Sequence, residues 1–112
     1  MQCPLQFFPK ISKFFLTKQK NSEVFKALAC RHRVKIIEIL RYGEQTVSEI
    51  ASFLIVHPSV VSRHLAILQS AGLVMSRKEG VEVYYKLSSK EVLNLLKDAQ
   101  SIVEVKMKSE NF

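Results

Sequence analysis

Residues 57–74 read "HPSVVSRHLAILQSAGLV". Wound as a helix from Ser59 at about 100° per residue, they put Val61, Leu65 and Leu68 on one face, at the i, i+4, i+7 spacing of a core-facing stripe. The opposite face holds Ser59, Arg63, Ala66 and Ser70, flanked by Ser62 and Gln69 on one side and Val60 and Ile67 on the other. The plain alternative is a solvated face, but solvated helix faces usually carry Glu and Lys, and this one has neither. Small residues around one forked guanidinium can approach another surface closely. Gly72 then stops the helix.

Working outward, Ser22 is positioned to cap a helix with Phe25, Leu28 and Ala29 inward, and after a break near Cys30 a second helix runs through Ile36, Ile39 and Leu40 to Gly43. Thr46 or Ser48 opens a short helix with Ile50, Ala51 and Leu54 inward, "IVHP" turns tightly, and Pro58 or Ser59 begins the quoted helix. Two helices joined by a few residues make a helix-turn-helix. Beyond it, "LVMSRKEGVEVYYKL" alternates on either side of Glu79-Gly80, with Val81, Val83, Tyr85 and Leu87 on the second arm, which predicts a β-hairpin. Ser88 and Glu91 fit a capping box for a last helix with the stripe Val92, Leu95, Leu96, Ala99, Ile102 and Val103, wide enough for a partner helix.

Composition agrees with a folded, mainly helical domain. The chain has 112 residues, of which 47% are hydrophobic, with only three Gly and three Pro, the composition of a chain that folds rather than stays disordered. Cys3 and Cys30 are too few for a disulfide scaffold and form no C-x-x-C pair, so a reducing cytoplasm is the expected location. The N-terminal twenty residues hold four Phe, but Lys10 and Lys13 interrupt the apolar run and no cleavage site follows; no stretch reaches the ~20 apolar residues of a membrane span. Two readings of residues 1–20 stay open: an interfacial amphipathic helix from Pro9, or an arm whose Ile11, Phe14 and Phe15 pack on the domain or on a second subunit. The division expected is therefore an arm over residues 1–20, making a dimer contact, and a folded domain with a dimerising last helix over residues 21–112.

The net charge is +7, which suits a polyanionic partner or simple solubility. Its surplus lies in residues 1–42, with nine Lys/Arg against two Glu; residues 43–87 and 88–112 each balance. Between Ile55 and Lys78, however, the only charges are Arg63, Arg77 and Lys78, so the local field around the quoted helix is positive.

Helices, helix-turn-helix, hairpin and last helix follow the order of a winged helix. In "FKALACRHRVKIIEIL", "VSEIASFL", "SVVSRHLAILQSAGLV" and "GVEVYYKLS" the chain resembles the ArsR/SmtB family of small dimeric transcriptional repressors over roughly residues 24–96. The resemblance implies a homodimer built by first and last helices, recognition helices in successive major grooves of double-stranded DNA, wings on the backbone, and DNA release on ligand binding or thiol modification. In helix-turn-helix docking the N-terminal residues of the second helix meet base edges, which singles out Ser59, Val60, Ser62 and Arg63. Arg63 can bond guanine O6/N7 bidentately, the serines can reach phosphates or bases, and Val60 a thymine methyl. Gln69 and His64 join the candidate DNA-binding set, although His64 lies about 60° off the core stripe, where a half-buried hydrogen-bonding role is the competing reading. Arg77 and Lys78 at the hairpin suit phosphate or minor-groove contact.

The switch is written less plainly. The family's Cys-x-Cys site falls where this chain reads "VSEIASFL", and residues 89–107 lack the His of its last-helix metal site. Glu91, Asp98 and Glu104 without imidazole are a poor transition-metal set and read as a solvated face. Cys30, directly before cationic Arg31 and near Arg33 at a helix start, is the candidate thiol or metalloid sensor, and Cys3 is its candidate partner for a disulfide or a soft ion such as As(III). A lone cysteine is also often a small buried hydrophobe. No cofactor is otherwise implied.

An enzyme is not expected: Asp98 is the only Asp, and no Gly-rich phosphate loop or Ser/Cys–His–acid order stands out. The competing function is a winged-helix module that binds proteins, or nucleic acid without sequence preference. An acidic or apolar recognition face would favour it.

Overall fold

The computed structural model describes residues 20–110. The Phe-rich segment and Cys3 lie outside the described residues. The elements run in the order α1 (residues 20–28 of it described), α2 (Arg31–Leu40), β1 (Gln45–Thr46), α3 (Val47–Leu54), α4 (Pro58–Ser70), β2 (Val74–Glu79), β3 (Glu82–Leu87) and α5 (Glu91–Glu110). This is a mainly helical domain with a β-hairpin wing.

The quoted helix behaves as its period requires, with Val61, Leu65 and Leu68 wholly buried against Ile36, Ile37, Leu40 and Ile50. Burying each such side chain contributes about 1.5–3 kcal/mol, and the three together anchor α4 to α2 and α3. Thr46 starts α3 through a full capping box: its hydroxyl accepts from the Glu49 N–H and the Glu49 carboxylate accepts from the Thr46 N–H. His57, one residue before Pro58 at the first helical position, caps α4 by accepting the Ser59 N–H on Nδ1. Axes of α3 and α4 bend by 111° at the connection, within the helix-turn-helix range. That turn passes through Ile55 at φ 56°, ψ 50°, a β-branched residue in the left-handed region and 89% exposed. At the far end Gly72, at φ 82°, closes α4, and the Leu73 N–H reaches back to the Leu68 carbonyl.

Several expectations need correction. Ser22 is not a cap, because residues 20–28 form one helix; α1 turns Val24, Ala27 and Leu28 to the core, leaving Phe25 60% exposed and Ala29 exposed. In α2 the buried side chains are Ile36, Ile37 and Leu40, with Ile39 at the edge. The hairpin turn is Gly80-Val81, since Glu79 pairs with Glu82, and Val81 projects into solvent. Ser88 and Glu91 form no capping box: Ser88 spends its N–H on the Leu73 carbonyl, and α5 begins at Glu91. On α5, Val92, Leu93 and Leu96 reach the core, while Ile102 and Val103 are exposed.

One strand was not foreseen. β1 pairs antiparallel with β3, Gln45 opposite Tyr85 and Thr46 opposite Tyr84, giving a sheet in the order β1-β3-β2. The wing is thereby tied to the start of α3. No single described helix is long and apolar enough to cross a membrane.

Candidate nucleic-acid interface

On α4 the side turned away from the core exposes Ser59, Ser62, Arg63, Ala66, Gln69 and Ser70, with Val60 half-buried beside them. Arg63 is exposed, and among the described residues it has neither ion pair nor hydrogen bond, so its five N–H donors are free to meet an outside acceptor. Ser59 is less free: its hydroxyl lies 2.8 Å from His57 Nδ1, which already accepts the Ser59 N–H and can therefore only accept again. The cap that begins the helix thus also holds the first candidate contact residue.

The remaining candidates separate into two groups. Gln69, near the other end of α4, donates through Nε2 to Ser76 Oγ of β2 at 3.1 Å and so braces the helix against the wing. His64 turns toward α2, where Arg33 Nη1 donates to its Nδ1 at 3.2 Å and the His32 ring lies 5.7 Å away. Burial, then the charges of Arg33, His32 and Arg63, hold its imidazole below the usual histidine range. These contacts leave His64 on the side of α4 facing the protein, apart from Ser62 and Arg63.

Arg77 and Lys78 are strand residues of β2, opposite Tyr84 and Val83, one step before the hairpin tip where they were expected. Arg77 Nε donates to Glu44 at 2.7 Å, its Nη1 donates to Glu79 at 2.6 Å, and the guanidinium stacks 4.6 Å from the Tyr84 ring centre. The Glu79 and then the Glu44 carboxylates hold its pKa even higher than usual. Lys78 is exposed and carries no such partners among the described residues. Sequence reasoning missed Glu44, Arg33 and His57. Only His57 had a local signal, its place directly before a helix-starting proline.

Cys30 is half-exposed at the N-cap of α2, with no disulfide partner among the described residues and no capping hydrogen bond to its side chain. The Arg33 N–H at the helix start, outweighing partial burial, and with help from the His32 N–H and the Arg33 charge, lowers its pKa. Among the described residues no three His, Cys, Asp or Glu side chains are grouped to hold a metal ion.

The chain is similar to known proteins in sequence and fold. Residues 30–76 match the profile described as bacterial regulatory protein, arsR family. The transcriptional activator HlyU of Vibrio cholerae is 42% identical over 78 residues, 66% of this chain and 72% of HlyU. The HTH-type transcriptional repressor SmtB of Mycobacterium tuberculosis is 36% identical over 77 residues, 69% of this chain and 57% of SmtB. A homodimeric winged helix-turn-helix DNA-binding domain from Mycobacterium bovis superposes with a TM-score of 0.79 at 29% identity, over 87% of this chain and 90% of that domain. The chain spans from 37% to 76% of the length of the curated relatives it matches.

Proposed function

The chain belongs to the arsR family of bacterial regulatory proteins, and from that membership we propose that it is a homodimeric regulator that binds double-stranded DNA sequence-specifically through α4. The observation that carries this is Arg63: a guanidinium without a partner among the described residues, on an exposed, acid-free face, in the N-terminal half of the second helix of a helix-turn-helix, the half that meets base edges. Ser62 and Val60 flank it, Lys78 reaches the backbone from the wing, and Gln69 positions that wing. Repression is the action proposed, because a dimer seated on an operator blocks transcription without further contacts. The location proposed is the cytoplasm.

The test is fluorescence anisotropy of the reduced protein on DNA from upstream of its own gene and on a scrambled copy, at two salt concentrations. The expected result is a preference of ~10³-fold or more, weakened by salt. Equal affinity for both fragments would replace this reading with sequence-independent binding, and no affinity at low salt would point to a protein partner.

Release of DNA by thiol chemistry is the finer part of the proposal. Cys30 supports it by being reachable and shifted toward the reactive thiolate. Cys30→Ser is expected to bind DNA normally and to ignore arsenite and peroxide; a mutant that still releases DNA on either treatment removes Cys30 from the mechanism.

A further inference from the structure

One side chain hydrogen-bonds to both neighbours across the corner where α1, α2 and α4 meet. Arg33 Nε donates to the Ala27 carbonyl of α1 at 2.5 Å, and its Nη1 donates to His64 of α4 at 3.2 Å. The residue is half-buried, at the foot of a cleft of about 480 Å³ that Glu23, Lys26, Ala66, Ile67 and Ser70 also line. A guanidinium has donors only, so His64 Nδ1 must offer a lone pair, and the imidazole there is neutral with its proton on Nε2.

We propose that Arg33 is a positioning residue for the recognition helix: anchored to α1, it grips neutral His64 and thereby sets how Arg63, the preceding residue of α4, is presented. This rests on the DNA-binding reading of α4 and adds to it a residue outside the interface. The geometry makes the grip conditional. Protonating Nδ1 removes the acceptor and places a second positive charge 3.2 Å from the guanidinium. The groups acting on the ring are Arg33 and His32 from α2 and Arg63 from α4, while α1 contributes Glu23 and Lys26 along the shared cleft. The two guanidiniums that act on the ring, Arg33 and Arg63, are both positive and oppose an imidazolium.

The sign of the pH dependence follows. Folding lowers the His64 pKa, so the unfolded chain takes up protons first. The contribution of the latch is complete above the ordinary histidine value of about 6.5 and is lost as pH falls below it toward the folded value.

Two measurements test this on the full chain. The first follows the His64 ring by NMR as pH is lowered, without DNA, in the wild type and in Arg33→Met. The midpoint is expected to rise in Arg33→Met, and an unchanged midpoint overturns the latch. The second measures operator affinity from pH 7.5 to 5.5 in the wild type and in His64→Gln, which keeps an acceptor but cannot titrate. Wild-type affinity is expected to fall relative to His64→Gln by about tenfold for each unit separating the His64 pKa with and without DNA. Coincident pH profiles overturn the positioning role, and His64→Gln keeps that arm decisive should Arg33→Met not fold. If no DNA binds at any pH, it is the DNA-binding reading that fails, and the NMR arm still decides whether Arg33 grips His64.

Discussion

At the scale of single residues, free and engaged cations on the same domain have different consequences. Among the described residues Arg63 has no partner to lose, so its bidentate bond to a guanine would be a net gain. Arg63→Ala should cost on the order of 1–3 kcal/mol on the cognate operator and clearly less on scrambled DNA, by anisotropy titration of both. An equal loss on the two would reduce Arg63 to a phosphate contact. Ile55 carries the other residue-scale prediction. A β-branched side chain in the left-handed region costs roughly 1–2 kcal/mol, and with 89% of it exposed it recovers little by packing. Glycine relieves that strain but adds unfolded-state entropy of about 0.5–1 kcal/mol. Ile55→Gly should therefore raise the free energy of unfolding by up to about 1 kcal/mol in urea, and a loss of stability would show that the exposed side chain makes contacts in the assembled protein.

At the scale of elements, the wing is coupled to the helix-turn-helix by the β1–β3 pairing, by the clamp of Glu44 on Arg77 and by the Gln69–Ser76 hydrogen bond. Both carboxylates on Arg77 are exposed and compete with any phosphate for the same donors. Glu44→Gln should leave the thermal unfolding midpoint nearly unchanged, since exposed ion pairs contribute little to stability. It should tighten binding to DNA and steepen the logarithmic salt dependence by up to about one unit; a slope equal to wild type would place Arg77 off the DNA. This also shows what the sequence can and cannot disclose. The stripe Val61, Leu65, Leu68 and the turn at Gly72 were legible because helical period and C-terminal capping are local properties. β1 is two residues long and exists only because β3 lies beside it, and Glu44 is 33 residues from Arg77. Likewise α1 is amphipathic enough to bury either Phe25 or Val24; the choice follows from where α2 and α4 stand. At the site, Arg63 was legible from what its helix face lacks, whereas Arg33 was not, because its partners come from two other helices.

At the scale of the whole molecule, the apolar surface is unevenly finished. The first two turns of α5 reach the core through Val92, Leu93 and Leu96, but from there on Ile102, Val103, Val105 and Met107 stand in solvent, with Ile102 71% exposed. Val103 continues the line of buried Val92, half-buried Leu96 and exposed Ala99, and lines, with Val34 and Leu93, a cleft of about 300 Å³ between α2 and α5. A helix whose inward stripe outlasts its own core requires a second surface to cover it, and so many exposed large apolar side chains on one helix are uncommon on a monomer. Phe25 on α1 is exposed in the same way. If a second copy supplies the cover, as the homodimer proposed for this chain requires, a carboxylate at Val103 would be buried without a partner in each half of the interface, at a cost of several kcal/mol. Val103→Glu should then sediment as a 12.8 kDa monomer where the wild type sediments at twice that mass. It should also lose most of its affinity for a two-half-site operator while keeping the weak binding of a single recognition helix, since α4 and its Arg63 are untouched. A variant that stays dimeric would mean that the exposed end of α5 faces some other surface, and that the dimer, with the half-site spacing it imposes, is built elsewhere on the protein.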